Sequence, residues 1–414
     1  MDENLTIIST INMKSILHLD LDSFFVSCER MLDSSLNNRP VLIGGTSGRG
    51  VVASCSYEAR AFGIHSAMPM RMAKQLCPHA VIIRGNSGTY SKYSDIVTEI
   101  IKTSSPAFEK TSIDEFYIDT TGMDRFYGTY MWAKELRQRI IKESGLPISF
   151  GLSTGKTTAK IGTNEAKPNS HMQVLRGEEK GFLAPLAIRK MPMVGEKTNH
   201  KLSLMGIQKI KTVQDMPCEL MERVMGKGGV SIWKKAQGVD NSPIIPYHER
   251  KSISVERTFE KDTTDVVKLK SIVTAMAENL AYQLRNGDKL TACVTVKIRY
   301  SDFTTESKQM HIPFTSVDHT LIETVNQLFD KLYSRRMLIR LVGVRYSKLV
   351  GGGYQINLFE DSEELVSLYQ AMDAVRNRYG QDAIKRAVSM DSRAIGRANP
   401  FNGQPPVIPA HRRA

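Results

Sequence analysis

The stretch HLDLDSFF, His18–Phe25, sets two aspartates inside a run that otherwise alternates like a half-buried strand. From residue 15 to 27, Ile16, His18, Asp20 and Asp22 fall on one face and Leu17, Leu19 and Leu21 on the other. The leucine face predicts a core contact. The opposite face carries acid to a strand end beside Phe24 and Phe25. Buried carboxylates are costly unless a cation or a metal compensates them, so this stretch predicts a sheet whose end does chemistry.

Working outward, SCERMLDSSLNN reads as a short helix and loop, RPVLIGG as a strand, and GVVASCSYEARAFGI as a strand running into a helix. SKYSDIVTEIIKTSS and MWAKELRQRIIKES are amphipathic helices, EKTSIDEFYIDTTG is a hairpin-like strand region, and LPISFGLSTG is a further strand. Strands and helices interleave without a regular βαβ repeat, which favours an α+β sheet with helices on one face. Residues 176–243 read as a small helical domain and NSPIIPYHERK, 241–251, as a linker. In LTACVTVKIRYSDF, Val294, Val296, Ile298 and Tyr300 alternate with Thr295, Lys297 and Arg299, the pattern of a sheet with an open basic face. The Pro-rich end, ANPFNGQPPVIPAHRRA, is expected to be disordered.

Composition narrows the classes. The chain has 414 residues, 41% hydrophobic and 24% charged, long enough for two to four domains without staples. No run approaches the ~18 apolar residues of a membrane span. MDENLTIISTINMKS lacks the basic flank and cleavage site of a signal peptide, so a cytoplasmic location is expected. Five scattered cysteines without a CxxC pair argue against a disulfide framework and a structural zinc site. A formal charge of +13 suits a polyanionic partner. Residues 244–350 alone hold 17 Lys and Arg against 12 Asp and Glu.

A second acidic pair, Asp114 and Glu115 in SIDEF, lies in a strand region otherwise poor in charge. Together with Asp20 it offers hard oxygen ligands of the kind that suit Mg²⁺. Two such ions roughly 3.5–4 Å apart serve phosphoryl transfer. Tyr57 and Arg60 in SYEAR share one side of a helix start, where hydroxyl and guanidinium suit a triphosphate, and Lys167 in EAKPN stands at another loop. GLSTGKT, residues 151–157, is not a P-loop: it has three residues between its glycines where four are needed.

HLDLDSFFVSCER, GVVASCSYEARAFGIHSAMP, SIDEFYID and AKIGTNEAKPN, in this order, resemble the DinB-like branch of the Y-family translesion DNA polymerases. MPMVGEKTNHKLSLMGI is similar to their thumb, and KSISVERTFEKD with VTVKIRYSDF to their little finger. The resemblance covers residues 14 to 350. It implies an α+β, multidomain right-hand polymerase: palm at 14–27 and 87–175, fingers at 28–86, thumb at 176–243, linker at 244–251, little finger at 252–350, and a C-terminal clamp-binding peptide, helix and tail at 351–414. Carried over by position, Asp20, Asp114, Glu115 and the Leu21 carbonyl hold two Mg²⁺ ions, although Glu115 can equally serve to position the primer terminus. Phe25 is the steric gate against ribonucleotides, with Phe24 beside it. Ser54, Tyr57, Arg60 and Lys167 contact the triphosphate, while Asp22 buttresses the strand end.

In the thumb, Met193 stands where the family has the first glycine of a Gly-x-Gly turn, and Gly195 keeps the second. The departure puts the grip at that turn in question. Lys197 and Lys201 add charge there, and Thr295, Lys297 and Arg299 face DNA in the little finger. Gln355, Leu358 and Phe359 of GGGYQINLFED match the peptide by which bacterial polymerases bind the sliding clamp. The expected partners are primer-template DNA, dNTP and that clamp; no membrane is expected, and the protein is expected to be a monomer. The alternatives are a two-metal nuclease on the same carboxylates, which needs no sugar gate, and a non-catalytic DNA- or clamp-binding factor, which needs no acidic triad.

Overall fold

The computed structural model describes residues 14–105, 107–123, 128–351, 363–380 and 383–390. Gln355, Leu358 and Phe359 lie outside the described residues. The chain divides into two compact units between His248 and Glu249.

The strands of the first unit are β1 (Ile16–Leu21), β2 (Val41–Gly44), β3 (Val52–Cys55), β4 (Val81–Ile83), β5 (Phe108–Lys110), β6 (Glu115–Asp119), β7 (Ile148–Ser153) and β8 (His171–Gln173). Five form a sheet of order β5-β6-β1-β7-β8, with β1 antiparallel to both β6 and β7. Leu17, Leu19 and Leu21 are buried with Phe116, Ile118, Phe150 and Leu152 against the Ser87–Ser104 and Thr129–Ser144 helices. Each such buried side chain contributes roughly 1.5–3 kcal/mol.

The opposite face is covered as well, which corrects the expectation of helices on one face. The Lys156–Ala166 helix lies across β1 and β7. Gly151 permits the approach: a Cβ there would stand 2.2 Å from the Ala159 carbonyl oxygen. His18 pairs through Nδ1 with Thr163 Oγ1 at 2.8 Å, so a polar strand face meets a polar helix face. At GLSTGKT the amino end of this helix is taken up by an acid of the chain itself. Its Thr157 N–H and hydroxyl donate to the Asp240 carboxylate at 3.0 and 2.6 Å. Although burial opposes it, hydrogen bonds from Ser242 and Thr157 hold the Asp240 carboxyl down at about 2.

β1 also ends earlier than its alternation suggests. Ser23 adopts a left-handed conformation (φ 44°, ψ 44°), and the Phe24–Leu32 helix follows at once. Phe24, Ser27 and Cys28 then repeat at helical spacing and are buried, so tertiary packing replaces period two by 3.6. The Ser27 hydroxyl donates to the Asp22 carbonyl at 2.7 Å and ties the turn. Strands β3-β2-β4 form a separate small sheet with its own core of Leu42, Val52, Ile64 and Met70. Helices Glu179–Leu183, Glu196–Leu204, Ile210–Asp215, Cys218–Met225 and Lys227–Ala236 enclose a third core around Leu202, Ile210 and Met221. Four of the five cysteines are buried, and all five are free thiols.

The second unit holds β9 (Ser252–Thr263), β10 (Lys289–Tyr300), β11 (Thr305–Thr315) and β12 (Ile339–Gly351), antiparallel in the order β11-β10-β12-β9. Val294, Val296, Ile298 and Tyr300 are fully buried beneath helices Val266–Asn286 and Asp318–Leu332. Thr295, Lys297 and Arg299 remain half-exposed on the opposite face. The Glu363–Tyr379 helix docks onto this unit through a charge-balanced network. Arg285 reaches Asp318 at 2.5 Å and Asp373 at 2.5 Å, and Arg386 reaches Glu278 at 2.8 Å. Asp318 is fully buried, so its charge has no water to fall back on.

Arg285→Ala is therefore expected to destabilise the second unit by about 3–5 kcal/mol, because it removes the shortest ion pairs of buried Asp318 and Asp373 and leaves three acids against two bases. Denaturant unfolding of the full chain measures this, and a loss below ~1 kcal/mol contradicts the network's role.

Candidate active site

Strand register builds the site. In the β1–β6 ladder Asp20 stands directly opposite Glu115, and on its other side opposite Ser149 of β7. Asp114 precedes β6 by one residue, and its carbonyl accepts the Leu21 N–H at 3.0 Å. Three acids thus arrive at one end of two adjacent strands. Burial pushes the Asp20 carboxyl up to about 7, with Lys167 working against the shift and the charges of Asp114 and Glu115 adding to it. Asp114 is raised too, by burial first and by Glu115, against a hydrogen bond from Ser112. That bond measures 2.6 Å.

One helix supplies the counter-charges. Lys160 Nζ grips both Glu115 oxygens at 2.8 and 2.7 Å, and Lys167, capping the same helix, pairs with Asp20. Among the described residues, no three acidic, His or Cys side chains are already drawn together as a cation cage. Ammonium groups neutralise the acids instead, where a divalent ion fits by charge. The hard oxygens of Asp20 and Asp114, with Leu21 beside them, are the donor type for Mg²⁺-like ions.

These residues line a polar cleft of about 170 Å³ formed by Asp20, Leu21, Ser23, Phe24, Phe25, Ala53, Ser54, Arg60, Ser66, Asp114 and Lys167. Eight of the residues singled out from sequence therefore converge. Glu115 and Tyr57 do not line it. The Tyr57 hydroxyl donates to Asp22 Oδ1 at 3.3 Å, and its ring lies under the Arg60 guanidinium at 4.5 Å. Asp22 acts as a brace, accepting also from the Ser149 hydroxyl at 2.8 Å and the Asn169 N–H at 2.7 Å. Sequence reasoning does not mark Ser23, Ala53, Ser66 or Lys160, although all four lie inside the quoted motifs. The left-handed turn at Ser23, invisible in composition, turns Ser23 and the phenylalanines into the cleft.

Elsewhere in the first unit, Met193 holds φ 77°, the left-handed conformation that favours glycine, so the turn is kept without the glycine. Its sulfur lies 3.4 Å from Lys235 Nζ. Gly195 caps the Glu196–Leu204 helix in open space, where a Cβ would meet no atom within 4 Å. Lys197 is exposed, while Lys201 donates to the Val224 carbonyl at 2.7 Å. In the second unit, Lys297 pairs with Glu256 at 2.8 Å and Arg299 with the Thr305 hydroxyl at 2.9 Å.

The fold is that of the Y-family DNA polymerases. A Y-family polymerase chimera of Dbh and Dpo4 superposes with a TM-score of 0.71 at 24% identity, covering 82% of this chain and all of the other. An insertion ternary complex of Dbh DNA polymerase gives 0.60 at 23% identity over the same shares. The profile of the impB/mucB/samB family matches residues 19–164, and that of its C-terminal domain residues 250–358. The chain is 37% identical to the DNA polymerase IV of Dehalococcoides mccartyi, over 90% of its own length and 97% of the relative's. It is 36% identical to those of Methanoculleus marisnigri and Streptococcus pyogenes, over 83% and 81% of its length and 96% and 94% of theirs. The chain belongs to the impB/mucB/samB family. It is a DNA-directed DNA polymerase of the translesion type, which sets aside the nuclease and the non-catalytic factor. Enzymes of this family depend on divalent metal.

The Asp20 shift has a sign that can be tested. A cation held by Asp20 would need the ionised carboxylate, so protons would compete with it below about pH 7 and its affinity would rise with pH. The metal-free fold, conversely, loses stability as pH climbs from the ordinary carboxylate range to about 7. Apparent Mn²⁺ affinity measured by calorimetry is expected to fall about tenfold between roughly pH 8 and roughly pH 6; a flat profile contradicts the shift.

Proposed function

We propose that Asp20, Asp114 and Glu115, with the Leu21 carbonyl, hold two Mg²⁺ ions, and that this cleft adds dNTPs to a primer 3′ end. The observation that carries the reading is the convergence of Asp20 and Asp114 with Phe25, Arg60 and Lys167 around one cleft. When bound, the ion pair lowers the barrier for the primer hydroxyl to attack the α-phosphate and steadies the departing pyrophosphate. The chain's own residues do the rest. Arg60, Lys167, Tyr57 and Ser54 bind and orient the triphosphate by charge-assisted hydrogen bonds. Lys167 leaves Asp20 for phosphate as the nucleotide arrives, which exchanges one anion for another. Asp22, braced by Ser149 and Asn169, holds the strand end on which Asp20 is carried.

Phe25 is half-buried at the cleft wall, and its ring stands as the gate that excludes a ribose 2′-hydroxyl, with Phe24 packed beneath. The five-stranded sheet serves as palm, the β3-β2-β4 region as fingers, the small helices as thumb and the second unit's strands as little finger. Phosphates of primer-template DNA meet the Gly195 turn with Lys197 and Lys201, and the open face bearing Thr295, Lys297 and Arg299. Such contacts position DNA without reading sequence. The fingers are small and leave the nascent pair weakly enclosed, which suits damaged templates. The enzyme works as a monomer in the cytoplasm, and Gln355, Leu358 and Phe359 recruit the sliding clamp, tethering it to DNA.

Two outcomes check this. In primer extension with Mg²⁺, Asp20→Asn and Asp114→Asn are each expected to slow nucleotide addition by about a hundredfold to a thousandfold or more; an unimpaired Asp114→Asn enzyme refutes the metal assignment. Replacing Leu358 and Phe359 together by Ala is expected to abolish stimulation by the clamp and leave distributive synthesis intact. Stimulation that persists in the double variant removes the peptide from clamp recruitment.

A further inference from the structure

Two residues outside the cleft lining, Tyr90 and Glu29, frame Phe25. The Phe25 and Tyr90 rings stack with centroids 4.4 Å apart and 16° between planes. The Tyr90 hydroxyl donates to Glu29 Oε1 at 2.6 Å. Glu29 follows Phe25 by four residues on the Phe24–Leu32 helix, so both lie on one helix face and Tyr90 bridges them. The helix therefore carries both the ring and the anchor of the ring that backs it.

Tyr90 itself is immobilised. It is 3% exposed, Phe24 meets it edge-on at 6.4 Å, and Gly85 leaves room for it. A Cβ at Gly85 would stand 3.2 Å from Tyr90 Cε2 and 3.3 Å from its hydroxyl. Burial, with the Glu29 hydrogen bond adding to it, keeps the phenol protonated well above its ordinary range, so it remains a donor. A steric gate discriminates only if its ring cannot yield. Phe25 sits in the first turn of a helix and is half-buried, so its rotation is limited by whatever stands behind it.

We propose that Tyr90, locked by Glu29, is a positioning residue that holds the Phe25 ring rigid and thereby sets the enzyme's selection of deoxyribonucleotides over ribonucleotides. This rests on the reading of Phe25 as the gate. Tyr90 is buried and does not line the cleft; it acts by denying Phe25 the space into which a 2′-hydroxyl would push it. Shape-matched backing of one aromatic ring by another fixes both distance and plane, which an aliphatic side chain does not do.

The test compares kcat/KM for one dNTP and its matching rNTP, in the full-length enzyme, across Phe25→Ala, Tyr90→Ala, Tyr90→Leu, Tyr90→Phe and Glu29→Ala. Tyr90→Ala and Tyr90→Leu are expected to lower the dNTP-to-rNTP ratio by about threefold to tenfold, the size of a lost aromatic contact, through faster rNTP addition. Tyr90→Phe, which keeps the ring but loses the Glu29 anchor, should lower the ratio by less than Tyr90→Ala does, and Glu29→Ala, which removes the same hydrogen bond, should match Tyr90→Phe. Should Tyr90→Ala not fold, Tyr90→Leu gives the same reading. If Phe25→Ala collapses the ratio while Tyr90→Ala and Tyr90→Leu leave it unchanged, or slow both nucleotides equally, the positioning role is overturned and the gate stands. If Phe25→Ala itself leaves the ratio unchanged, the gate reading falls and this inference with it.

Discussion

Everything at the cleft depends on the antiparallel seating of β1 between β6 and β7. Because side chains alternate with period two, a slip of one residue would turn Asp20 into the leucine core and Leu19 or Leu21 into the cleft. The register is defended from both faces. Leu17, Leu19 and Leu21 are buried on one side, and His18 is clasped by Thr163 on the other. The fold holds its acids in place by burying what alternates with them.

Holding three acids together costs the fold stability, and the Lys156–Ala166 helix offsets that cost. Lys160 and Lys167 neutralise Glu115 and Asp20, while Asp240 fills the helix's own amino end. Ser112 satisfies Asp114. The residual strain shows in the raised carboxyls of Asp20 and Asp114. A site pre-strained in this way gains from cations and phosphates, because they relieve charges that protein groups only partly compensate. The Arg285 network of the second unit is a contrast: three basic and three acidic residues there balance one another, and that arrangement serves docking rather than chemistry.

Much of this was legible in the sequence where local pattern and chemistry coincide. Asp20 and Asp114 stand out because acid is rare inside strand patterns, and Val294 to Tyr300 because alternation there is uninterrupted. What escapes are features decided by tertiary contact. The left-handed turn at Ser23 ends β1 early although period two can be read through to residue 27. Gly151 lets a helix cover the second sheet face, which no periodicity announces. Lys160 looks like a solvated helix charge, and Tyr90 like one more core aromatic. Their meaning lies in partners 45 and 65 residues away, Glu115 and Phe25.

One strand register gathers Asp20, Asp114 and Glu115 at a single strand end, where the cations proposed for the cleft would sit. The most direct test of that placement is a crystal structure of the enzyme with primer-template DNA, a non-hydrolysable dNTP and Mn²⁺, read by anomalous scattering. Two peaks bounded by Asp20, Asp114, Glu115 and the Leu21 carbonyl, with Lys167 turned from Asp20 toward phosphate, are the predicted result. Peaks elsewhere, or Lys167 still paired with Asp20 beneath a bound nucleotide, would contradict it.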